Sequence, residues 1–391
     1  DWDQLAGAVV AGHLIECSAQ VTGGNYSFFT EVPGMERLGF PWAEVASDGS
    51  AVIGKHDGTG GQVSVGTVTS QLLYEIGGPR YLGPDVTARF DTIQLDQVAT
   101  DRVRVSGTLG EPPPPTLKVA MNELGGFRNT IAVALTGLDI EAKAEAAAAA
   151  FWAGCPYGPD DFAVVNERVI RTDHTDPTSN EAATAQWRIT VKDPDERKVG
   201  RAFSNAFIET ALASIPGFYG LTGGPSAGSP FGVYRPALVP ADLVPSYVHL
   251  DGATVQVDST APTNQDAPTP TDHVMPDTTW SGATERAPIG RVVGARSGDK
   301  GGNANLGVFT RSAEAFEWLA GEPRLGMLLA VALLPLVIAP LAGRRAALLA
   351  GIAVLTTVGV VVMAFNAWTE PWLLVGYAIA AVAAARKHVA W

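Results

Sequence analysis

The fold class is decided between residues 141 and 215, where the chain reads EAKAEAAAAAFW (141–152), FAVVNERVIR (162–171), AQWRITVK (185–192) and ERKVGRAFSNAFIETALASI (196–215). The first and last segments are rich in helix-forming residues, whereas the two middle segments have the β-branched and alternating pattern of strands. Helices that alternate with strands favour an α/β or α+β layered domain. We therefore predict such a domain over residues 1–257.

Short elements are also predicted on the N-terminal side of this stretch. Asp3 can cap a helix that runs to about Gln20, and Gly23 and Gly24 would end it. Residues 65–76 indicate a second helix, and residues 102–108 and 116–120 indicate strands.

On the C-terminal side the composition changes twice. Residues 258–287 are rich in proline, threonine and aspartate without a period, which predicts a linker. A small α+β unit then begins at residues 288–320, with strand-like stretches at 289–296 and 305–310 and a helix at 313–320.

The tail, residues 325–391, is strongly hydrophobic. Its segment 325–342 has 18 residues without a charge, segment 346–365 has 20, and segment 372–385 is shorter. About 20 apolar residues span a bilayer as a helix, so we expect two to three transmembrane helices here. The tail is either a foreign piece joined to the chain or a genuine membrane anchor. Membrane contact is expected only through residues 325–385.

Charge and cysteine content exclude several classes of protein. The 27 Lys and Arg against 40 Asp and Glu give a net charge of -13, which argues against nucleic-acid binding. A hydrophobic content of 46% argues against wholesale disorder. Two cysteines cannot form a disulfide framework, which favours a reducing, cytoplasmic setting unless the tail anchors the chain to a membrane. Because the chain starts at Asp1 without a signal peptide, we expect a fragment that lacks its natural front.

Several long motifs resemble one known family. They are AGHLIECSAQVTGGNYS (11–27), LGFPWAEVASDGSAVIGKHDGTGGQVSVGTVTSQLLYEIGGPRYLGPDV (38–86), DRVRVSGTLGEPPPPTLKV (101–119), DPDERKVGRAFSNAFIETALASIPGF (193–218) and SPFGVYRPALV (229–239). With these motifs the chain resembles the acyclic terpene utilisation family of AtuA-like proteins. The segment IGRVVGARSGDKGGNANLGVF (289–309) resembles the start of the ferredoxin-like domain that ends many members.

The resemblance implies a pathway more directly than a reaction. It implies catabolism of acyclic terpenoids such as citronellol and geraniol, through branched acyl-CoA intermediates and beside a geranyl-CoA carboxylase. We expect a protein that binds or converts a branched terpenoid acid or its acyl-CoA, as a lyase, hydratase or hydrolase without a redox cofactor. The alternative is a non-catalytic subunit that binds a partner enzyme of the pathway.

His13 and Glu16 are the predicted catalytic residues. On a continuous helix His13, Glu16 and Gln20 would form one polar stripe on a mainly apolar surface. A buried imidazole beside a carboxylate can serve as a general base, and Gln20 would contact the ligand. The alternative is a His–Glu hydrogen bond that only orients the helix. A metal site at this H-x-x-E pair is disfavoured because no third ligand has suitable spacing.

Three glycine-containing loops are the predicted ligand-binding segments. Each offers backbone amides that could hold an anion. The alternatives are a helix cap for the first loop, a tight turn for the second and a surface turn for the third. Their predicted ligand-binding residues are Gly23, Gly24 and Asn25; Thr59, Gly60 and Gly61; and Ser297, Asp299, Lys300, Gly301 and Asn303.

Four further polar residues are not ranked as sites. Cys17 lies beside Glu16, which opposes a reactive thiolate, so a structural thiol is favoured. Asp85, Tyr74 and Glu75 are polar candidates whose spacing does not rank them.

Overall fold

A computed structural model describes residues 1–211, 215–221, 223–224, 226–257, 285–300, 303–321 and 364–366. The chain divides into two compact units. Unit 1 comprises Asp1–Val119 and Leu238–Trp391, and unit 2 comprises Ala120–Ala237.

The helices lie at the predicted positions. They are α1 (Trp2–Ile15), α2 (Val65–Leu72), α3 (Ile140–Gly154), α4 (Phe203–Ala211) and α5 (Ala313–Gly321), with a π-helical turn, Lys198–Ala202, before α4. Helices α1, α2 and α4 are shorter than predicted, and α3 and α5 are slightly longer.

The strands are more numerous than predicted. They are β1 (Pro41–Val45), β2 (Ala51–Lys55), β3 (Arg80–Leu82), β4 (Thr87–Arg89), β5 (Gln94–Ala99), β6 (Arg102–Ser106), β7 (Leu109–Glu111), β8 (Thr116–Thr136), β9 (Val164–Ile170), β10 (Thr184–Asp193), β11 (Phe218–Gly220), β12 (Ser229–Pro240), β13 (Ser246–Leu250), β14 (Ala253–Val257), β15 (Val293–Lys300), β16 (Asn303–Thr310) and β17 (Ala364–Asn366).

Unit 1 contains several small sheets. Strands β1-β2-β6-β5 form one antiparallel sheet, and β3-β4-β7 form another. Strands β13 and β14 form a separate hairpin, and β15-β16-β17 form a third sheet. Helix α1 starts in a capping box between Asp1 and Gln4 and buries Ala6, Val10 and Leu14 in the core of this unit.

Unit 2 is built on the segment that the sequence singled out. Strands β11-β8-β10-β9 form an antiparallel sheet, and β12 pairs with β8. Alternate residues of β10 are buried, among them Trp187 and Ile189, as expected for a strand with one covered face. They belong to one apolar cluster with Phe151 of α3 and Phe203 of α4.

The predicted fold class is wrong in its sheet architecture. The chain is α+β with antiparallel sheets, and the one parallel pair described is β16 with β17. The alternation of helices and strands allowed an α/β as well as an α+β domain, and the direct pairing of the consecutive strands β9 and β10, which antiparallel strands can form, decides for α+β. Residues 303–310 and 313–321 form a strand and a helix as predicted; their ferredoxin-like assignment stays a prediction, and linker residues 258–284 lie outside the described residues.

The predicted two to three transmembrane helices are not supported. In the part of the chain that the structure describes, no helix has the length and apolar character to cross a bilayer. Segments 325–342 and 372–385 lie outside the described residues, and the described residues of segment 346–365, Ala364 and Phe365, belong to β17. A continuous apolar run indicates burial, and it cannot by itself distinguish a helix from a buried strand. The membrane-anchored alternative loses its support with these helices.

Candidate functional site

The chain that follows α1 has an unusual backbone. Glu16 is the C-terminal cap of the helix, and Cys17 (φ 59°) and Ser18 (φ 60°) are both left-handed. Glu75, at the end of the segment that follows α2, is left-handed as well (φ 54°). Each such non-glycine residue costs roughly 1–3 kcal/mol, and residues of this kind cluster at functional sites. The turn also ends the helix before Gln20, so the predicted stripe of three polar residues does not form.

His13 joins α1 to α2. Its buried imidazole donates from Nε2 to the carbonyl oxygen of Gln71 at 3.0 Å, and it lies edge-on to the rings of Tyr81 and Phe90. The Gln71 amide donates back to the carbonyl oxygens of His13 (3.2 Å) and Glu16 (3.3 Å). His13 and Glu16 are therefore linked through Gln71, whose buried Oε1 accepts no hydrogen bond from the described residues.

Four titratable side chains meet beside this link. We name Glu16, Cys17, Tyr74 and Glu75 the Tyr74 cluster. The Cys17 thiol donates a hydrogen bond to the Tyr74 hydroxyl, at the long distance of 4.0 Å. The side chains of Glu16 and Glu75 lie close enough to this pair to shift its pKa values. The cluster thus places a thiol and a phenol in contact beside two carboxylates.

The environment keeps the thiol and the phenol protonated. Burial and the neighbouring Glu16 raise the pKa of Cys17 above its ordinary value. The hydrogen bond to Glu75, followed by burial and the contact with Cys17, raises the pKa of Tyr74. At neutral pH both groups can donate a proton, and Cys17 is a poor nucleophile.

Strand β15 covers the cluster with a cation and a glycine. The guanidinium of Arg296, a residue only 7% exposed, lies 4.1 Å from the centre of the Tyr74 ring. A Cβ atom at Gly298 would lie 2.5 Å from Cγ of Glu75 and 2.8 Å from Cε2 of Tyr74. Glycine is required at position 298 because this approach leaves no room for a side chain.

Asn305 on strand β16 fixes the other side of the contact. Its amide nitrogen donates to the carbonyl oxygen of Leu73 at 2.6 Å, and its Oδ1 accepts from the backbone N–H of Glu75 at 3.0 Å. The two hydrogen bonds from Asn305, to Leu73 and to Glu75 itself, therefore hold the left-handed backbone of Glu75 in place.

The predicted second loop, Thr59 to Gly61, is closed by its own hydrogen bonds. The N–H groups of Gly60 and Gly61 donate to the carbonyl oxygens of Arg37 (2.9 Å) and Pro33 (2.6 Å). Thr59 donates its hydroxyl to a nearby carbonyl oxygen, that of His56. These amides are occupied, so an anion would have to displace internal bonds.

The start of α2 is occupied as well. Ser64 caps the helix by accepting from the N–H of Thr67, and Gln97 accepts from the N–H of Val65. The positive end of this helix is thus satisfied by side chains of the chain itself.

The predicted first loop is a compact turn. Gly23 (φ 117°) and Gly24 donate their N–H groups to the carbonyl oxygens of Gln20 and Ala19, and Asn25 (φ 56°) is exposed. The buried Oε1 of Gln20 accepts no hydrogen bond from the described residues. The structure brings this loop against the second one, since the N–H of Gln62 donates to the carbonyl oxygen of Thr22 at 3.0 Å.

The predicted third loop is a tight hairpin rather than a long loop. Ser297 and Asp299 pair with Leu306 and Ala304, and Lys300 pairs with Asn303. Gly301 lies outside the described residues, as do the side chains of Asp299, Lys300 and Asn303. The hairpin that contains this predicted loop is the one that contacts the Tyr74 cluster.

Unit 2 contains a cavity of about 190 Å³. Its lining includes Ser204 and Ser226, whose hydroxyls donate to the Ser226 carbonyl oxygen and to Asn129 respectively. These donors are already used internally, so the Tyr74 cluster is the better candidate site. Within the described ranges, no three His, Cys, Asp or Glu side chains are grouped as a metal site.

Comparison with known families adds a direct assignment. The family model described as acyclic terpene utilisation family protein AtuA matches residues 1–250. The chain belongs to this family. Membership gives this acyclic terpene utilisation protein a role in the use of acyclic terpenes, without naming a substrate or a reaction. Comparison with curated proteins and with solved structures finds no match.

The sequence analysis named some residues of this candidate site. Glu16 was a predicted catalytic residue, while Tyr74 and Glu75 were noted and Arg296 was missed. Gly298 carried a usable signal, because a glycine inside a strand indicates close approach of another segment.

Proposed function

We propose that this chain binds a branched acyclic acyl-CoA and adds water to it, or removes water from it, at the Tyr74 cluster. The carrying observation is the contact between the Cys17 thiol and the Tyr74 hydroxyl beside the carboxylates of Glu16 and Glu75. Family membership supports the choice of an acyclic terpenoid substrate. The left-handed backbone at Cys17 and Glu75 supports a site where strain is retained for function.

The proposed step needs one proton acceptor and one proton donor. Glu75 takes a proton from water while the water oxygen bonds to C3 of a 2,3-unsaturated thioester. The electron pair of the double bond moves toward C2, and the Tyr74 phenol gives its proton to C2. Glu75 then returns its proton to Tyr74 through their hydrogen bond, so that the sum of the step is one water added.

The remaining groups have supporting roles in this proposal. Arg296 supplies positive charge beside the thioester oxygen as negative charge develops there. Glu16 is exposed beside Cys17 and exchanges protons between the cluster and bulk water. His13 is a positioning residue, since it acts on Glu16 through Gln71. The predicted loops around Gly23, Gly60 and Lys300 stay candidates for contacts with the rest of the ligand.

Hydration is favoured over hydrolysis through a covalent thioester. That second route needs a thiolate, and the raised pKa of Cys17 opposes its formation at neutral pH. The cluster instead offers groups that can act as general acid and general base.

The test uses the full chain and geranyl-CoA. Mass spectrometry of the products distinguishes a thioester that has gained one water from free acid plus CoA. We expect the hydrated thioester, and we expect Glu75→Gln to lower its rate about a hundredfold or more. Glu44→Gln is the matched control, because Glu44 is an exposed carboxylate of β1.

Three outcomes contradict the proposal. Free acid with CoA as the only products would show a hydrolase, and equal rates for Glu75→Gln and the control would remove the cluster from the reaction. If the chain neither binds nor converts geranyl-CoA, the non-catalytic partner-binding function becomes the better account.

A further inference from the structure

The sheet of unit 2 has a second face, opposite the one that packs on α3 and α4. In β10 buried residues alternate with half-buried ones, and Arg188, Thr190 and Lys192 belong to the half-buried set. Residues directly opposite each other in neighbouring strands share a face of the sheet. The register of β8, β9 and β10 therefore states which side chains lie on this second face.

Four cations lie on this face in two directly opposed pairs, and we name it the basic face. Arg188 is opposite Arg168 of β9, and Lys192 is opposite Arg128 of β8. None of the residues that the register places on this face is acidic. No ion pair joins the four cations to a carboxylate of the described residues. Like charges that lie directly opposite each other destabilise a sheet.

An anion bound at the basic face would remove two unfavourable features of the chain. The first is the pair of like-charge contacts, which stand out in a chain whose net charge is -13. The second is the Nε–H of Arg188, which is buried and donates to none of the described residues. A buried donor without an acceptor lowers stability, more so when the group is charged. Both features indicate a negatively charged ligand.

Neutral hydrogen-bonding side chains lie between the two cation pairs. The register places Asn166, Thr190 and Thr130 side by side across the three strands, and the hydroxyls of the two threonines lie 2.9 Å apart. On one flank the ammonium of Lys192 lies 4.8 Å from the centre of the Phe231 ring. The basic face thus offers positive charge at both ends and hydroxyl and amide groups in the middle.

The size of the basic face fits a small anion better than a macromolecule. Arg188 and Lys192 are four residues apart, which is about 13 Å along a strand, and three neighbouring strands span about 10 Å. A protein partner buries about 800 Å² on each side of a standard interface, several times this area. Nucleic acid is disfavoured by the net charge of -13. A ligand with two separate phosphate groups matches the two separate cation pairs.

We propose that the basic face of unit 2 binds the phosphorylated nucleotide end of CoA, with the ribose 3′-phosphate and the 5′-diphosphate at one cation pair each. The choice of CoA among phosphorylated ligands rests on the proposed function, in which the substrate is an acyl-CoA. Arginine holds phosphate through two parallel hydrogen bonds, so the Arg168–Arg188 pair contributes most of the recognition.

Isothermal titration calorimetry of the full chain with CoA tests the proposal. CoA carries no acyl group, so its binding does not depend on chemistry at the Tyr74 cluster. We expect Arg188→Gln to raise the dissociation constant about tenfold or more, because charge-assisted hydrogen bonds to phosphate are lost. Arg201→Gln is the matched control, since it removes the same charge from an exposed arginine of the π-helical turn before α4. Its dissociation constant should stay within about twofold of the wild-type value because the charge is solvent-screened.

Two further measurements separate lost recognition from lost folding. Without CoA, Arg188→Gln should melt no lower than the wild type, because the substitution removes the repulsion from Arg168. Arg168→Gln, at an exposed position, should weaken CoA binding in the same way. Dephospho-CoA, which lacks the 3′-phosphate, should bind the wild type about tenfold more weakly than CoA, since one cation pair loses its partner.

Three results overturn the proposal: a wild-type chain that does not bind CoA, equal affinities of Arg188→Gln and Arg201→Gln, or dephospho-CoA that binds as tightly as CoA. Failure here is distinguishable from failure of the proposed function. If CoA binds as expected but geranyl-CoA is not converted, the proposed function fails and the basic face stands. If geranyl-CoA is converted but Arg188→Gln binds CoA as the wild type does, the basic face fails and the proposed function stands.

Discussion

His13→Ala tests whether this side chain holds α1 and α2 together. The substitution removes the hydrogen bond to the carbonyl oxygen of Gln71 and both edge-on contacts, with Tyr81 and Phe90. It leaves that buried carbonyl with its backbone donor alone, the N–H of Tyr74 at 3.0 Å, and opens space between two rings.

The magnitude follows from these contacts. The loss of one hydrogen bond to a carbonyl that keeps another donor costs about 0.5–1.5 kcal/mol, and each aromatic contact contributes about 0.5–1.5 kcal/mol. The sum is about 1.5–4.5 kcal/mol, and we expect a loss near the middle of that range because the neighbouring side chains relax partly.

Hydrogen exchange of the α1 amides is the appropriate assay. The chain has two compact units, and exchange at α1 reports on unit 1 without mixing in the unfolding of unit 2. His174→Ala is the control, because His174 is exposed in unit 2 and its loss should change the α1 opening energy by less than about 0.5 kcal/mol. An α1 opening energy that is the same in His13→Ala and in the control would refute the structural role.

Three further predictions concern unit 1. Gly298→Ala should lower stability by about 1–3 kcal/mol and slow turnover, because its methyl group enters the space of the Tyr74 cluster; an unchanged melting temperature and rate would contradict this. Alkylation of Cys17 by iodoacetamide, followed by peptide mass spectrometry, should become fast only at a higher pH than alkylation of free cysteine, since burial and Glu16 raise the pKa of its thiol. A midpoint at or below that of free cysteine would contradict this. Lys55→Met should lower the free energy of unfolding, measured in urea, by about 1–3 kcal/mol. The buried ammonium of Lys55 donates to the carbonyl oxygen of Thr59 in the second glycine loop and pairs with Asp101 at 3.4 Å. A variant as stable as the wild type would show that these two contacts make no net contribution.

Elements specified by local pattern could be predicted from the sequence. The helix predicted at 141–152 is Ile140–Gly154, and the strand predicted at 185–192 is Thr184–Asp193. Alanine content and two-residue alternation act within a few positions, so they can be read without the tertiary structure. The sheet arrangement depends on which strands meet, and the pattern of one strand does not state its partner.

The Tyr74 cluster shows the same limit. Glu75 and Asn305 are hydrogen-bonded although they lie 230 positions apart. The end of α1 also depended on a feature that propensity does not reveal, the left-handed backbone at Cys17 and Ser18. A continuous helix would have aligned Glu16 with His13 and Gln20, whereas the turn leaves it beside the Cys17 thiol.

Deuterium delivery in heavy water tests the central claim most directly. The wild-type chain and Tyr247→Phe, a variant of an exposed tyrosine, should place deuterium on C2 of the thioester at the rate of turnover. Tyr74→Phe removes only the hydroxyl and should slow that incorporation about a hundredfold or more while α1 remains as stable as in the wild type. Incorporation by Tyr74→Phe at the wild-type rate would contradict the claim that this phenol delivers the proton.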